Sequence, residues 1–282
     1  MPATTTIAFF DSGVGGISVW RAVRQRLPGC PTLYVADNAH LPYGPRPAAQ
    51  IRRYSAAITR FLLAQGAGLV VVACNTASAA ALQWLRGRFD VPFVGMEPAV
   101  KPAAEATRTG HVGVLATRGT VDGELFRNTS ARYANGVAVH VQVGDGLVEC
   151  VETGQADSAE TEQVLRRYID PMLQAGVDRI VLGCTHYAFL LPMLERILPA
   201  TVTVVDAAEA VARQVEWRVV EMPQAATSTA MEVPVDHRFF TTGTPAVMAA
   251  LLRGELSCEP HVERLAWRRN RLETAAGAPA GA

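Results

Sequence analysis

Two cysteines stand where a buried strand should give way to a helix. In "VVVACNTASAAAL" (70–82) a β-branched run ends at Cys74, and Asn75-Thr76 lead into an Ala-rich stretch of helical character. In "IVLGCTHYAFLL" (180–191) the same order recurs around Cys184, followed by Thr185-His186. Cysteine is also a small, commonly buried hydrophobe, and that reading covers either position taken alone. A thiol just ahead of a helix feels the positive end of the helix dipole, which lowers its pKa from about 8.5 and raises the thiolate fraction. A shift of two units corresponds to roughly 2.7 kcal/mol. The dipole supplies less than that, so hydrogen bonds from Asn75, Thr76, Thr185 and backbone N–H groups would have to add to it.

Three chemistries fit such a pair. A redox disulfide usually keeps its partners close in sequence, whereas these are 110 residues apart. A Cys–His nucleophile could be built from Cys184 and His186 but leaves Cys74 without a task. Two-base racemisation uses both: a thiolate removes a proton from one face and a thiol returns one to the other. A second echo supports paired halves. "IAFFDSGVGG" (7–16) and "VGVLATRGTV" (112–121) are both strands running into a small or hydroxyl-bearing loop, at an offset of 105. The chain reads as two related α/β halves, each offering a strand-end loop and a strand-end cysteine across a cleft.

Other strand-end residues suit a small anionic amino acid. Asp11 offers a carboxylate for an ammonium group and Ser12 a hydroxyl for a carboxylate; Asp11 is equally readable as a helix-capping residue. In "ADNAHLPYGP" (36–45), Pro42 and Gly44 make a turn around Tyr43 that can present backbone N–H groups to a carboxylate. "ATRGT" (116–120) supplies Thr117 and Thr120.

Several cofactor classes are disfavoured. Gly13, Gly15 and Gly16 suggest a nucleotide loop, but Ser18 breaks G-x-G-x-x-G. Lys101 is the only lysine, set between Pro98 and Pro102 with no glycine-rich loop beside it. A pyridoxal Schiff base or a Walker A loop would each need a better-placed lysine. The six histidines are scattered without H-E-x-x-H, so no metal is expected. The expected cofactor is none. Activity should survive dialysis against a chelator and treatment with a carbonyl reagent; loss restored by pyridoxal phosphate would overturn this.

The elements that must position these residues follow from periodicity. Short β-rich runs at 6–10, 32–36, 68–73, 92–96, 111–116, 137–143, 179–183, 202–206 and 238–242 alternate with helical patterns such as 17–27, 47–65, 76–88, 159–175 and 188–198. That alternation predicts βαβ units and mainly parallel sheet, with reactive groups at the carboxyl ends of strands. Residues 222–237 read as a connecting loop and 268–282 as a disordered tail. Cys30, Cys150 and Cys258 lack the strand-Cys-polar-helix setting and read as structural.

The 282 residues are 49% hydrophobic and 18% charged, enough for a substantial core. Lys+Arg and Asp+Glu are both 26, which argues against nucleic acid or an anionic membrane as main partner. Five cysteines with no C-x-x-C pair fit a reducing compartment. The start, "MPATTTIAFFDSG", has no signal-peptide pattern and no apolar run reaches transmembrane length, so a cytoplasmic setting is expected.

"FFDSGVGGISV", "ADNAHLPYG", "ACNTASAAAL", "VGVLATRGTV" and "LGCTHYAFLLP", in this order, resemble the glutamate racemases, cofactor-independent enzymes that make D-glutamate for bacterial peptidoglycan. The resemblance runs from about Ile7 to about Trp267. It implies two pseudo-symmetric α/β domains, roughly 1–97 with 206–267 returning to it, and 98–205, with the active site between them. It implies Cys184 as the base for L-glutamate and Cys74 for D-glutamate, with Asp11 assisting near Cys74, and His186 and Glu152 near Cys184. Asp11, Ser12, Tyr43, Gly44, Asn75, Thr76, Thr185 and His186 would line the ligand site, and a homodimer is a candidate assembly. Many relatives have Pro where this chain has Ala188 and Ala207, and Cys-Pro where it has Gly144-Asp145. The short segment before the first strand leads us to expect activity without a peptidoglycan-precursor activator. An aspartate racemase and a catalytically weak protein binding an acidic amino acid or DNA gyrase are the rival readings; the Cys74/Cys184 pair favours the enzyme.

Overall fold

The computed structural model describes residues 5–133, 136–222, 235–253, 255–256 and 259–275. The chain begins β1 (Ile7–Asp11), α1 (Ile17–Arg26), β2 (Thr32–Ala36), α2 (Ala48–Ala64), β3 (Leu69–Val72), α3 (Asn75–Arg86), β4 (Phe93–Gly95) and α4 (Val100–Ala106). It continues with β5 (His111–Ala116), α5 (Arg118–Val121), α6 (Glu124–Tyr133), β6 (Ala138–Val143), α7 (Leu147–Glu152), α8 (Ala159–Gln174) and β7 (Arg179–Gly183). A 3₁₀ helix (Thr185–Leu190) then leads to α9 (Leu191–Ile197), β8 (Thr203–Val205), α10 (Ala208–Glu221), β9 (His237–Thr241), α11 (Pro245–Leu252), β10 (Val262–Arg268) and β11 (Arg271–Thr274).

The central strands β1, β2 and β3 are buried along their whole length, and mostly apolar, because both faces are covered. In β1, Ile7 and Phe9 enter one core cluster and Ala8 and Phe10 another. Helix α2 buries Ile51, Tyr54, Ile58 and Phe61, a stripe at helical spacing that closes one face of the sheet. The cluster holding Ile7 and Phe9 also takes in Leu115, Tyr187 and Val215, so one core reaches from the first sheet to the second.

Two sheets form, ordered β11-β10-β9-β2-β1-β3-β4 and β6-β5-β7-β8. The block β2-β1-β3-β4 has the same order and parallel sense as β6-β5-β7-β8. The register repeats too: Ile7 pairs with Leu69, and Val112 pairs with Arg179, reproducing the offsets of 105 and 110 seen in the sequence. The carboxyl ends of β1, β3, β5 and β7 therefore occupy matching places.

Two expectations need adjusting. The stretch 188–198 is not one helix: a 3₁₀ turn ends at Leu190 and α9 starts at Leu191, because Pro192, lacking an N–H, suits a helix start. The supposed tail from 268 does not begin there. Arg269 and Asn270, both at positive φ, make a tight turn, and β11 pairs antiparallel with β10 while burying Leu272. The alternation of Arg271, Leu272 and Glu273 is that of a half-buried strand, which its arginines hide. Residues 276–282, most of the 222–237 connection and Cys258 lie outside the described residues. Cys30 is a buried core residue, and Cys150 is partly buried.

Candidate active site

Both cysteines are the last extended residue before a helical turn. Cys74 caps α3, with φ −139° and ψ 122°, and its sulfur accepts the Ala77 N–H at 3.4 Å. Cys184 caps the 3₁₀ helix with φ −150° and ψ 133°. The strand puts each side chain at the sheet end, and the helix start turns the following side chains into the same space. As a result Cys74, Asn75 and Thr76 from one half meet Cys184, Thr185 and His186 from the other around one pocket.

That pocket is also lined by Ser12, Pro42, Tyr43, Gly44 and Thr117, and by Val148, which the sequence did not single out. Its volume is about 20 Å³, room for little more than a water. The Asn75 side-chain amide is buried, and neither its oxygen nor its nitrogen has a partner among the described residues. A buried polar group left without a partner costs about 1–3 kcal/mol, so Asn75 is aimed at something that must supply hydrogen bonds. A larger cavity of about 340 Å³ between α3, β4 and α10 contains neither cysteine.

Thr120 does not line the pocket: it is buried and hydrogen-bonds the Thr117 hydroxyl at 2.9 Å. Asp11 is also behind the lining. Its carboxylate accepts the N–H groups of Ser12 and Gly16, each at 2.7 Å, and the Thr185 hydroxyl at 3.3 Å. It thus braces the start of α1 and ties the first half to the strand end carrying Cys184. Glu152 lies behind His186, whose Nε2 is 2.6 Å from Oε1, and accepts the Val14 N–H and an Asn38 N–H at 2.7 Å each. It positions His186, whose Nδ1 lies 3.9 Å from the Cys184 sulfur.

The electrostatics differ from the sequence expectation. Burial, with the nearby Asp11 charge, pushes the Cys74 thiol well above its usual pKa, and the Ala77 N–H only partly opposes this. The expected lowering by the helix start is therefore reversed at Cys74, because desolvation exceeds what one dipole returns. Burial also raises the Asp11 carboxyl, against the pull of His186 and its hydrogen bonds. For His186, burial opposes the charged form, but Cys184, Glu152 and Asp11 outweigh it and hold the imidazole well above its usual value. The surroundings thus favour the neutral thiol at Cys74 and the charged imidazole at His186, whose ring stands beside the Cys184 sulfur.

One supporting residue escaped the sequence reading. Asp37, fully buried at the end of β2, accepts the Tyr43 hydroxyl at 2.7 Å, the Trp267 indole N–H at 2.7 Å and the Thr242 hydroxyl at 3.1 Å. It fixes the 42–45 turn against β9 and β10. Its only sequence signal was its place within "ADNAH" at a strand end.

Comparison with known proteins adds to this geometry. A family model described as Asp/Glu/hydantoin racemase matches residues 18–215. The chain is 48% identical over 250 residues to a glutamate racemase of Pseudomonas aeruginosa, covering 88% of this chain and 93% of that one. It is 49% identical over 255 residues to a glutamate racemase of Roseiflexus, covering 90% and 93%. Among solved structures it resembles Escherichia coli glutamate racemase in complex with L-glutamate and the activator UDP-MurNAc-Ala, with a TM-score of 0.79, 35% identity, and coverage of 89% and 95%. No helix among the described residues is long and apolar enough to cross a membrane.

Proposed function

The chain belongs to the Asp/Glu/hydantoin racemase family, and from that premise we propose that it interconverts L- and D-glutamate without a cofactor. The product D-glutamate would serve peptidoglycan synthesis. The observation that carries the mechanism is the pair of strand-end thiols lining one pocket together with the unpartnered Asn75 amide.

With L-glutamate bound, the Cys184 thiolate, facing the His186 imidazolium, takes the proton from Cα. Cys74, kept protonated by burial and by Asp11, delivers its proton to the opposite face. Cys184 ends as a thiol and Cys74 as a thiolate, the arrangement needed for D-glutamate to run the other way. Glu152 holds His186, and Asp11 holds the Cys74 side. Ser12, Asn75, Thr76, Thr117 and Thr185 supply hydrogen bonds, and the 42–45 turn receives a carboxylate.

The test is to incubate the purified protein with single L-amino acids, without additions, and follow optical rotation. Rotation of L-glutamate should decay to zero. Faster turnover of L-aspartate would move the assignment to aspartate, and no turnover of either would remove it.

A pocket of about 20 Å³ cannot take glutamate as it stands, so the halves must part to admit it and close on it to exclude water. Bound glutamate should protect segments 11–16, 42–45, 74–78, 117–121 and 184–187 from hydrogen exchange together. Protection confined to one half would contradict a site shared by both.

A further inference from the structure

A second cleft, of about 430 Å³, lies on the outer side of the pocket, between the start of α2, α3 and the α5–α6 corner. Its volume is in the range of ligand clefts, roughly 300–1,000 Å³. Three guanidinium groups line it: Arg46, Arg52 and Arg118. Among the described residues none of the three forms an ion pair. Arg46 and Arg52 each spend Nε on a carbonyl, of His40 and Ala80, which fixes the group while leaving its outer nitrogens available. Two exposed carboxylates, Asp122 and Glu124, also border the cleft, leaving it net positive.

Only a thin seam separates this cleft from the cysteines. Gly44 lines both cavities. Gly119 lies against it so closely that an added Cβ would stand 3.0 Å from the Gly44 carbonyl oxygen and 2.6 Å from the Thr76 methyl. The Thr76 and Thr117 hydroxyls join across the seam at 2.8 Å. On the opposite side of the pocket the halves are tied by the Glu152 bonds to Val14 and Asn38 and by the buried Asp11–Thr185 bond. A hydrogen bond between two neutral hydroxyls is weaker than one to a charged group. The two halves therefore part most easily at the seam, beneath the arginines.

We infer that this outer cleft is the port through which glutamate reaches the cysteines, with Arg46, Arg52 and Arg118 forming an anion-binding subsite that captures a carboxylate before the seam opens. This rests on the glutamate reading above. A port lowers the barrier to passage in both directions, so its loss slows association and dissociation together. The arginines do not touch the bound substrate.

The test compares the full chain carrying Cys74→Ser and Cys184→Ser, which cannot turn over substrate, with and without Arg52→Gln and Arg118→Gln. L-glutamate is mixed in by stopped flow with tryptophan fluorescence as the signal. At about 0.01 M ionic strength, where charges act over roughly 30 Å, the arginine variant should associate about threefold or more slowly. Dissociation should slow as well, so Kd moves less than the association rate, and added salt should slow the variant less than its background. Arg60→Gln, an exposed arginine outside the cleft, should change neither rate. Unchanged association and salt response would overturn the port alone. Faster dissociation with unchanged association would also overturn it, since the arginines would then hold bound ligand. Absence of any glutamate binding, together with absence of turnover in the parent chain, would overturn the glutamate reading and the port's ligand with it.

Discussion

Cys74→Ser and Cys184→Ser should each reduce glutamate racemisation by about a thousandfold or more, because a serine hydroxyl is a far weaker base than a thiolate. Racemisation needs a base on one face and an acid on the other, so losing either thiol stops it. The surviving thiol can still act on one enantiomer if the substrate sheds a leaving group instead of being reprotonated. With a glutamate analogue bearing a β-leaving group, Cys74→Ser should keep elimination mainly from the L form, through Cys184. Cys184→Ser should keep it mainly from the D form, through Cys74. The pH dependence follows from burial. The Cys74 thiol is pushed up first by desolvation and then by Asp11, so its reactive thiolate grows as pH rises. Elimination from the D form should therefore keep increasing past the ordinary thiol range of about 8.5. Two variants that treat the enantiomers alike, or one that keeps full racemisation, would end the two-thiol account.

Gly15→Ala should lower kcat by about a hundredfold while leaving the chain folded. An added Cβ at Gly15 would stand 2.4 Å from His186 Nδ1 and 2.7 Å from the His186 backbone nitrogen. No real Cβ sits that close, and the backbone atom cannot rotate away as the end of a flexible side chain could. The strand end carrying Cys184 and His186 must then shift relative to β1. A displacement near 1 Å is enough to spoil alignment of the two thiols on a single carbon, even though the new methyl group touches no substrate. Gly29→Ala is the matched control, since nothing lies within 4 Å of a Cβ there. Equal activity of the Gly15 and Gly29 variants would show that the spacing between the halves at His186 is not critical.

The elements flanking the cysteines were legible in the sequence because local rules govern them. β-Branched runs such as 69–72 and 179–183 become buried strands, and Cys74 and Cys184 sit at their ends because the polar and alanine-rich residues that follow favour a helical start. The repeat was legible as spacing, and the paired registers of β1 with β3 and β5 with β7 carry the same offsets. β11 was harder to see, because a short strand with three exposed residues carries little apolar signal, and its only buried side chain is Leu272.

Tertiary structure alone decided the second layer of the site. Nothing in "LVECVETG" says that Glu152 will reach Val14 and Asn38, which are 138 and 114 residues away. Nor does "ADNAH" reveal that Asp37 will meet Trp267. The loop sequence around Thr120 suggests a ligand contact, yet Thr120 lies in α5 and is buried in the protein. The direction of the Cys74 pKa shows the reason most plainly. Helix position, a local property, argues for a lowered value, whereas desolvation and the Asp11 charge, which depend on what the fold packs around the sulfur, raise it. Periodicity determines a residue's neighbours along the chain; Coulombic and solvation energies depend on its neighbours in space, and those exist only once the two sheets have met.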